Sequence, residues 1–119
     1  MFKKEDVENL IKELILRNSG FSEDNIIFTD YCKIKMEERG IIEENIVETI
    51  ISNDNLYYAE RQEVILKGEK ETRYKQIFKI SSRYSLIIIV VYEEKVLKVV
   101  NVIKTSKSAE KLWRKKISK

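Results

Sequence analysis

The sequence predicts an α+β fold in which helices pack on a small, twisted and mostly antiparallel sheet. Two observations lead to this prediction. Apolar residues recur at helical spacing in the first half of the 119-residue chain, and four strand-like runs follow between Leu56 and Lys104. The breaks between those runs are too short to hold crossover helices, so consecutive strands are expected to be antiparallel neighbours.

The chain begins with a predicted helix from Lys3 to Asn18. Its apolar residues recur every three or four positions: Val7, Leu10, Ile11, Leu14 and Ile15. A polar loop follows, and Asn25 to Thr29 is predicted to be a short strand.

Two short helices are predicted next, placed back to back. The first is capped by Thr29 or Asp30 and ends at Arg39, and Gly40 is expected to take the left-handed conformation that stops it. The second begins at Glu43, whose charge suits the positive end of a helix.

Two features of the strand region can be predicted, namely the central strand of the sheet and the first turn. The run Tyr84 to Tyr92 is apolar at successive positions, so we expect a central strand that is buried on both faces. Gly68 and Glu69 fit a two-residue type II′ turn. The preceding strand alternates, with Arg73, Lys75, Ile77 and Lys79 on the face expected to be wetter.

The last predicted element is a basic helix from Lys107 to Ile117, with Trp113 in its apolar stripe. A single domain is expected over residues 1–119. It divides into an added N-terminal helix at 1–24, a core at 25–105 and the basic C-terminal helix at 106–119.

Composition excludes several kinds of chemistry. The chain has no histidine and one cysteine, so it cannot form an internal disulfide, a Cys/His zinc site or a nucleophile paired with histidine. We expect no cofactor and no metal, and we expect Cys32 to be a small buried residue. The start of the chain turns acidic at once, so no segment there looks like a signal peptide. The longest apolar run, Leu86 to Val91, is too short for a membrane helix. A cytoplasmic location and no membrane partner are therefore expected.

The positive charge is concentrated at the end of the chain. The last sixteen residues carry seven of the 23 basic residues and one of the 20 acidic residues, so the preceding part is mildly acidic. This asymmetry indicates a polyanionic or acidic protein partner, although a solvated helix face is an equal alternative. The candidate nucleic-acid-binding residues are Lys104, Lys107, Lys111, Arg114, Lys115 and Lys116.

The stretch from Thr29 to Ile41 resembles the signature of a small domain-of-unknown-function family near the RelE/ParE toxin superfamily. That signature reads Thr-x-His-Ala-x-x-Arg-Met-x-x-Arg-Gly-Ile, and here Arg39 and Gly40 match it. Tyr31 stands at the histidine position and Lys35 at the first arginine position. The resemblance covers about residues 25–105 and includes the later strands.

The resemblance implies a RelE/ParE-like fold and a toxin-like, RNA-directed function. RelE-like proteins cleave messenger RNA, often on the ribosome, whereas ParE-like proteins act on DNA gyrase, and antitoxins restrain both. A metal-independent ribonuclease of this type would use lysine, arginine and tyrosine for attack by the 2′-hydroxyl group. The candidate catalytic residues are Arg61, Arg73, Lys75, Arg83 and Tyr84.

The alternative is a non-catalytic interaction module on the same fold. The absent histidine and the mildly acidic body favour it. Such a module would bind a protein partner, antitoxin-like or otherwise acidic, or a nucleic acid. The oligomeric state, including a homodimer, is left open. The two hypotheses differ in one structural requirement, because a ribonuclease needs its candidate residues on one concave surface and a binding module does not.

Overall fold

The computed structural model describes residues 3–106, and these form three α-helices and one five-stranded sheet. The predicted α+β class is therefore confirmed. In chain order the elements are α1 (Lys4–Asn18), β1 (Ile26–Phe28), α2 (Asp30–Arg39), α3 (Glu43–Ser52), β2 (Leu56–Leu66), β3 (Glu69–Lys79), β4 (Ser85–Tyr92) and β5 (Leu97–Thr105). The predicted helix Lys107 to Ile117 lies outside the described residues.

The sheet has the strand order β1-β5-β4-β3-β2. Strands β2 to β5 form the antiparallel meander that the short breaks predict. The short strand β1 pairs in parallel with β5, where Ile26 lies opposite Leu97 and Phe28 opposite Val99. The prediction of a central strand is confirmed, because β4 has two strands on each side.

The two faces of β4 are buried to different extents. We call the face that carries Leu86, Ile88 and Val90 the helix face, because these buried residues pack in one cluster with residues of α2 and α3. On the other face, Val91 is buried but Ile87 and Ile89 are only half-buried. The expectation of full burial on both faces is wrong for these two isoleucines. Among the described residues, that face carries only a small buried cluster of Val7, Tyr58 and Ile77.

Helix α1 joins the two apolar clusters. Leu14 belongs to the cluster on the helix face, Val7 belongs to the small cluster, and Ile11 packs against both. Because neighbouring residues of a strand point to opposite faces, these contacts place α1 across the β2 edge of the sheet. The N-terminal helix is thus part of the core. None of the described helices has the length and apolar character needed to cross a bilayer.

The predicted caps of α2 are confirmed, and the predicted β2–β3 turn is wrong. The Thr29 hydroxyl oxygen accepts a hydrogen bond from the backbone N–H of Cys32 at 3.1 Å. Gly40 follows Arg39 with a φ of +68°. The β2–β3 turn consists of Lys67 and Gly68. Both have positive φ, 51° and 81°, as a type I′ turn requires, whereas type II′ needs a positive φ at one position.

Candidate nucleic-acid interface

Two of the candidate catalytic cations lie on β3 and are paired with carboxylates. Arg73 Nε lies 2.8 Å from Glu71 Oε1, and Lys75 Nζ lies 3.5 Å from Glu60 Oε1. Both side chains are on the face opposite the helix face, as the alternation predicts. Because a carboxylate already offsets each charge, the attraction of either cation for an incoming phosphate is reduced.

Arg61 lies on the other side of the sheet from these two residues. The register places it opposite Tyr74, whose side chain is buried in the cluster on the helix face. The guanidinium carbon of Arg61 lies 5.5 Å from the centroid of the Tyr74 ring. Arg61 is therefore separated by the sheet from the ion-paired Arg73 and Lys75.

Arg83 and Tyr84 lie in the turn between β3 and β4, near the end of β3 that is remote from Arg73. Lys79, the last residue of β3, pairs with Ser85. Lys79 lies six positions after Arg73 along β3, which corresponds to about 20 Å. The five candidate catalytic residues therefore do not converge on one concave surface.

Among the described candidate residues, Lys104 and Tyr84 form the shortest contact between a cation and an aromatic ring. Lys104 Nζ lies 4.3 Å from the centroid of the Tyr84 ring, within the range of a cation–π interaction. Both residues line a cleft of about 260 Å³ between the end of the sheet and the α2–α3 connection. Its other lining residues are Gly40, Ile41, Ile42, Asn45, Ile46, Glu48, Thr49, Ile80 and Leu86.

Positive charge predominates at the sheet end next to this cleft. Arg83 and Lys104 are both exposed, and neither forms an ion pair with a carboxylate of the described chain. Glu48 supplies one negative charge to the lining. Strand β5 ends at Thr105, so the basic stretch of the sequence begins directly beside the cleft. The other candidate nucleic-acid-binding residues, Lys107, Lys111, Arg114, Lys115 and Lys116, lie outside the described residues.

Two of the signature residues, Tyr31 and Lys35, lie on the surface of α2, and the other two, Arg39 and Gly40, are at its end. The Tyr31 ring is exposed, and Lys35 Nζ lies 5.7 Å from its centroid and 3.4 Å from Glu38 Oε2. Arg39 instead reaches the sheet: its Nη1 donates to the carbonyl oxygen of Val102 at 2.6 Å. Arg39 and Gly40 thus fix the end of α2, and that role accounts for both residues.

A buried polar ring on the helix face was not foreseen from the sequence. Asn18 Nδ2 donates to Gln76 Oε1 at 2.8 Å, Gln76 Nε2 donates to Tyr92 Oη at 2.9 Å, and Tyr92 Oη donates to Asn18 Oδ1 at 2.5 Å. Asn18 and Gln76 are fully buried. Burial raises the pKa of Tyr92 despite the hydrogen bond from Gln76 and the nearby charge of Arg17. The sequence contains one sign of this buried ring: Gln76 is a polar residue between Tyr74 and Phe78 on an otherwise apolar strand face.

Cys32 is buried, as expected, and its Sγ lies 3.6 Å from Met36 Sδ. Burial, helped by the charge of Glu43, raises the pKa of its thiol to about 11. A thiol with so little thiolate at neutral pH is a poor nucleophile. Residues 3–106 also contain no group of three or more cysteine or carboxylate side chains placed to hold a metal ion.

The cleft beside Tyr84 and Lys104 is therefore the candidate interface that this geometry favours. Comparison of the chain with protein-family models, with curated proteins and with solved structures finds no match.

Proposed function

We propose that the protein is an RNA-binding module that holds RNA at the Tyr84–Lys104 cleft and does not cleave it. The observation that carries this proposal is the pairing of Lys104 with the Tyr84 ring at the sheet end where the basic stretch begins. Unstacked RNA bases bind to tyrosine rings, and lysine and arginine side chains bind the adjoining phosphates. Arg83, exposed beside Tyr84, adds a second cation to the same surface.

The distribution of charge favours one end of the molecule for this contact. The chain before Lys104 holds 16 basic and 19 acidic residues, and the sixteen residues from Lys104 onward hold seven and one. Phosphate contacts supply most of the affinity of nucleic-acid binding. A mildly acidic body repels RNA, so binding is directed to the sheet end and the basic stretch that follows it.

The separation of the candidate catalytic residues supports the proposal of binding without cleavage. Attack by a 2′-hydroxyl group needs a base, an acid and a charge stabiliser around one phosphate. Arg73 and Lys75 are ion-paired on one face, Arg61 lies on the other, and Tyr84 is about 20 Å from Arg73 along the sheet. The resemblance of the Thr29–Ile41 stretch to a RelE/ParE-related family supports RNA as the target, and here we propose binding alone.

The test is a titration of fluorescent single-stranded RNA at several salt concentrations. Replacing Lys111, Arg114, Lys115 and Lys116 by Gln is expected to weaken binding and to flatten its salt dependence by about 0.7 logarithmic units per lost phosphate contact. Tyr84→Ala is expected to weaken binding by roughly 1–3 kcal/mol, the typical contribution of base stacking. Because stacking involves no ion release, Tyr84→Ala should leave the salt dependence unchanged.

Lys67→Asn is the matched control for charge. Lys67 lies in the β2–β3 turn at the far end of the sheet, and asparagine tolerates its positive φ. This variant should bind RNA like the parent. Failure of the parent to bind RNA at low salt would overturn the proposal. Specific cleavage of RNA, free or on translating ribosomes, that is lost in Arg83→Gln would establish a ribonuclease instead.

A further inference from the structure

A row of apolar side chains crosses four strands on the face of the sheet opposite the helix face. In the strand register Tyr58 pairs with Ile77, Ile77 with Ile87, and Ile87 with Ile103. Residues that are directly paired across antiparallel strands lie side by side on the same face. These four side chains therefore form one strip, which we call the apolar row. Because neighbouring strands lie about 4.8 Å apart, the row is roughly 14 Å long.

Helix α1 packs on one end of the apolar row. Val7 forms a buried cluster with Tyr58 and Ile77 of the row, and Ile87 packs at the margin of that cluster. Ile103, at the other end, is half-buried and belongs to neither apolar cluster of the described residues. The β5 end of the row is thus the part that the described elements leave outside the core.

The chain continues from this end of the row with a segment of matching length and polarity. Ile103 lies two positions before Thr105, the last residue of β5, and residues 106–119 follow. The apolar stripe of the helix predicted there runs from Ala109 to Ile117 and includes Leu112 and Trp113. At 1.5 Å per residue such a stripe extends over about 12 Å, close to the length of the apolar row.

The connection between the strand and the stripe is long enough for the chain to turn back. The three residues between Thr105 and Ala109 reach up to about 10 Å. Two of them are serines, which favour turns. A stripe that begins at Ala109 therefore starts within reach of Ile103, at the end of the row that α1 leaves free.

We propose that the C-terminal segment Lys107–Ile117 packs its apolar stripe on the apolar row of the same molecule. The helix face is already covered by residues of α1, α2 and α3, so the opposite face is the surface left for this segment. Packing removes the stripe and the half-buried isoleucines from water, which drives the contact. Attachment at Thr105 gives the segment a high effective concentration at the row, so its own chain is favoured over a second copy.

Docking gathers the basic residues of the segment on one outer surface. With about 100° of rotation per residue, four of them lie on the side of the predicted helix opposite the stripe: Lys107, Lys111, Arg114 and Lys115. RNA held at the Tyr84–Lys104 cleft then meets cations in a fixed arrangement, which lowers the entropy cost of binding. This consequence rests on the proposed function, whereas the docking itself does not.

The experiment uses the fluorescence of Trp113, the only tryptophan in the sequence, in the full-length protein without RNA. Docking buries the indole ring, so we expect emission at shorter wavelength and less quenching by acrylamide than for a synthetic peptide of residues 104–119. Leu112→Gln removes an apolar contact of the segment and should shift the emission towards that of the peptide. Lys111→Gln is the matched control, because position 111 lies on the outer side, and it should leave the emission unchanged.

Ile103→Gln tests the same contact from the sheet and should shift the emission in the same direction as Leu112→Gln. Ile65→Gln is its control, because Ile65 is exposed near the β2–β3 turn, seven positions after Tyr58 on β2. Thermal denaturation establishes that each variant is folded, and Ile103→Ala replaces Ile103→Gln if the latter does not fold.

Three results would overturn the proposal. One is parent emission equal to that of the peptide, and another is emission that neither Leu112→Gln nor the Ile103 variant changes. The third is a shift to shorter wavelength that disappears on dilution, which would assign the row to the segment of a second copy. RNA binding by a protein whose Trp113 is accessible to acrylamide would refute the docking and leave the proposed function intact.

Discussion

Arg39 Nη1 donates a hydrogen bond to the carbonyl oxygen of Val102 at 2.6 Å and another to Asn101 Oδ1 at 3.0 Å. The last residue of α2 is thereby joined to the middle of β5. Removing the side chain in Arg39→Ala leaves the Val102 carbonyl group without this charged donor, and we expect a loss of about 1–3 kcal/mol in the free energy of unfolding. Urea denaturation measures this loss. Lys35→Ala on the same helix breaks only a partly exposed pair with Glu38, so its effect should stay within about 1 kcal/mol.

Gly40 is expected to tolerate asparagine better than valine. Its φ of +68° is strained for a residue with a side chain, although a Cβ atom would meet no other atom within 4 Å. The cost of substitution therefore comes from the backbone conformation, and we expect about 1–2 kcal/mol for Gly40→Val and less for Gly40→Asn. Thermal denaturation of the three proteins tests this order. A Gly40→Val protein as stable as the parent would contradict the left-handed cap.

The two faces of β4 are expected to respond differently to truncation. Ile88 is fully buried on the helix face, so Ile88→Ala should cost roughly 2–5 kcal/mol. Ile87 is the matched control, because it is the same residue type on the same strand but only half-buried. Ile87→Ala should cost clearly less in the same denaturation experiment. Equal losses would mean that the two faces are equally well packed.

Substitutions in the hydrogen-bonded ring of Asn18, Gln76 and Tyr92 are expected to have strongly non-additive effects on the free energy of unfolding. Tyr92→Phe removes one donor and one acceptor, and it leaves Asn18 Oδ1 and Gln76 Nε2 without this partner, whereas the bond from Asn18 Nδ2 to Gln76 Oε1 remains. We expect a loss of about 1–3 kcal/mol for that variant. Adding Asn18→Leu and Gln76→Leu should cost much less than the sum of the single changes, because the unpaired groups are then gone. Additive losses would show that the three bonds act independently.

Stability is expected to fall at alkaline pH through Cys32. Its pKa is about 11 in the folded protein, against an ordinary value of 9.0. Above pH 9 the unfolded chain loses this proton while the folded protein keeps it, so the free energy of unfolding decreases until about pH 11. Burial raises the pKa of Tyr92 and of Tyr58 as well, from an ordinary value of 10.0, so these groups add to the loss of stability from about pH 10 upward. Cys32→Ala should therefore reduce the slope between pH 9 and 11 in denaturation measured across that range.

Local patterns in the sequence predict most of the fold. The Thr29 and Gly40 caps follow from residue type, and the position of β4 follows from its apolar run, because each depends on neighbours along the chain. The parallel pairing of β1 with β5 could not be predicted in this way, since nothing in Ile26–Phe28 indicates its partner. The β2–β3 turn was misassigned by one residue because Lys67 adopts a positive φ, which lysine rarely does.

The candidate site was less predictable than the fold. Composition identified the cations, but the pairing of Lys75 with Glu60 and of Arg73 with Glu71 depends on strand register and side-chain direction. The approach of Arg17 to Tyr92 depends on how α1 crosses the sheet. Contacts between residues so far apart in sequence have no local signature, so charge content indicates the partner class and not the position of the site.

The parallel pairing of β1 with β5 has a consequence for the order in which the chain folds during synthesis. It joins Ile26 to Leu97, and α2 packs on the same last strand. Contacts between such distant residues carry a large loop-closure entropy, so they form late. While Leu97–Thr105 is still inside the ribosome, β1 has no strand to pair with and α2 lacks the strand on which it packs. The antiparallel hairpin of β2 and β3, whose contacts are local, can form first and then wait for the strand that completes the core.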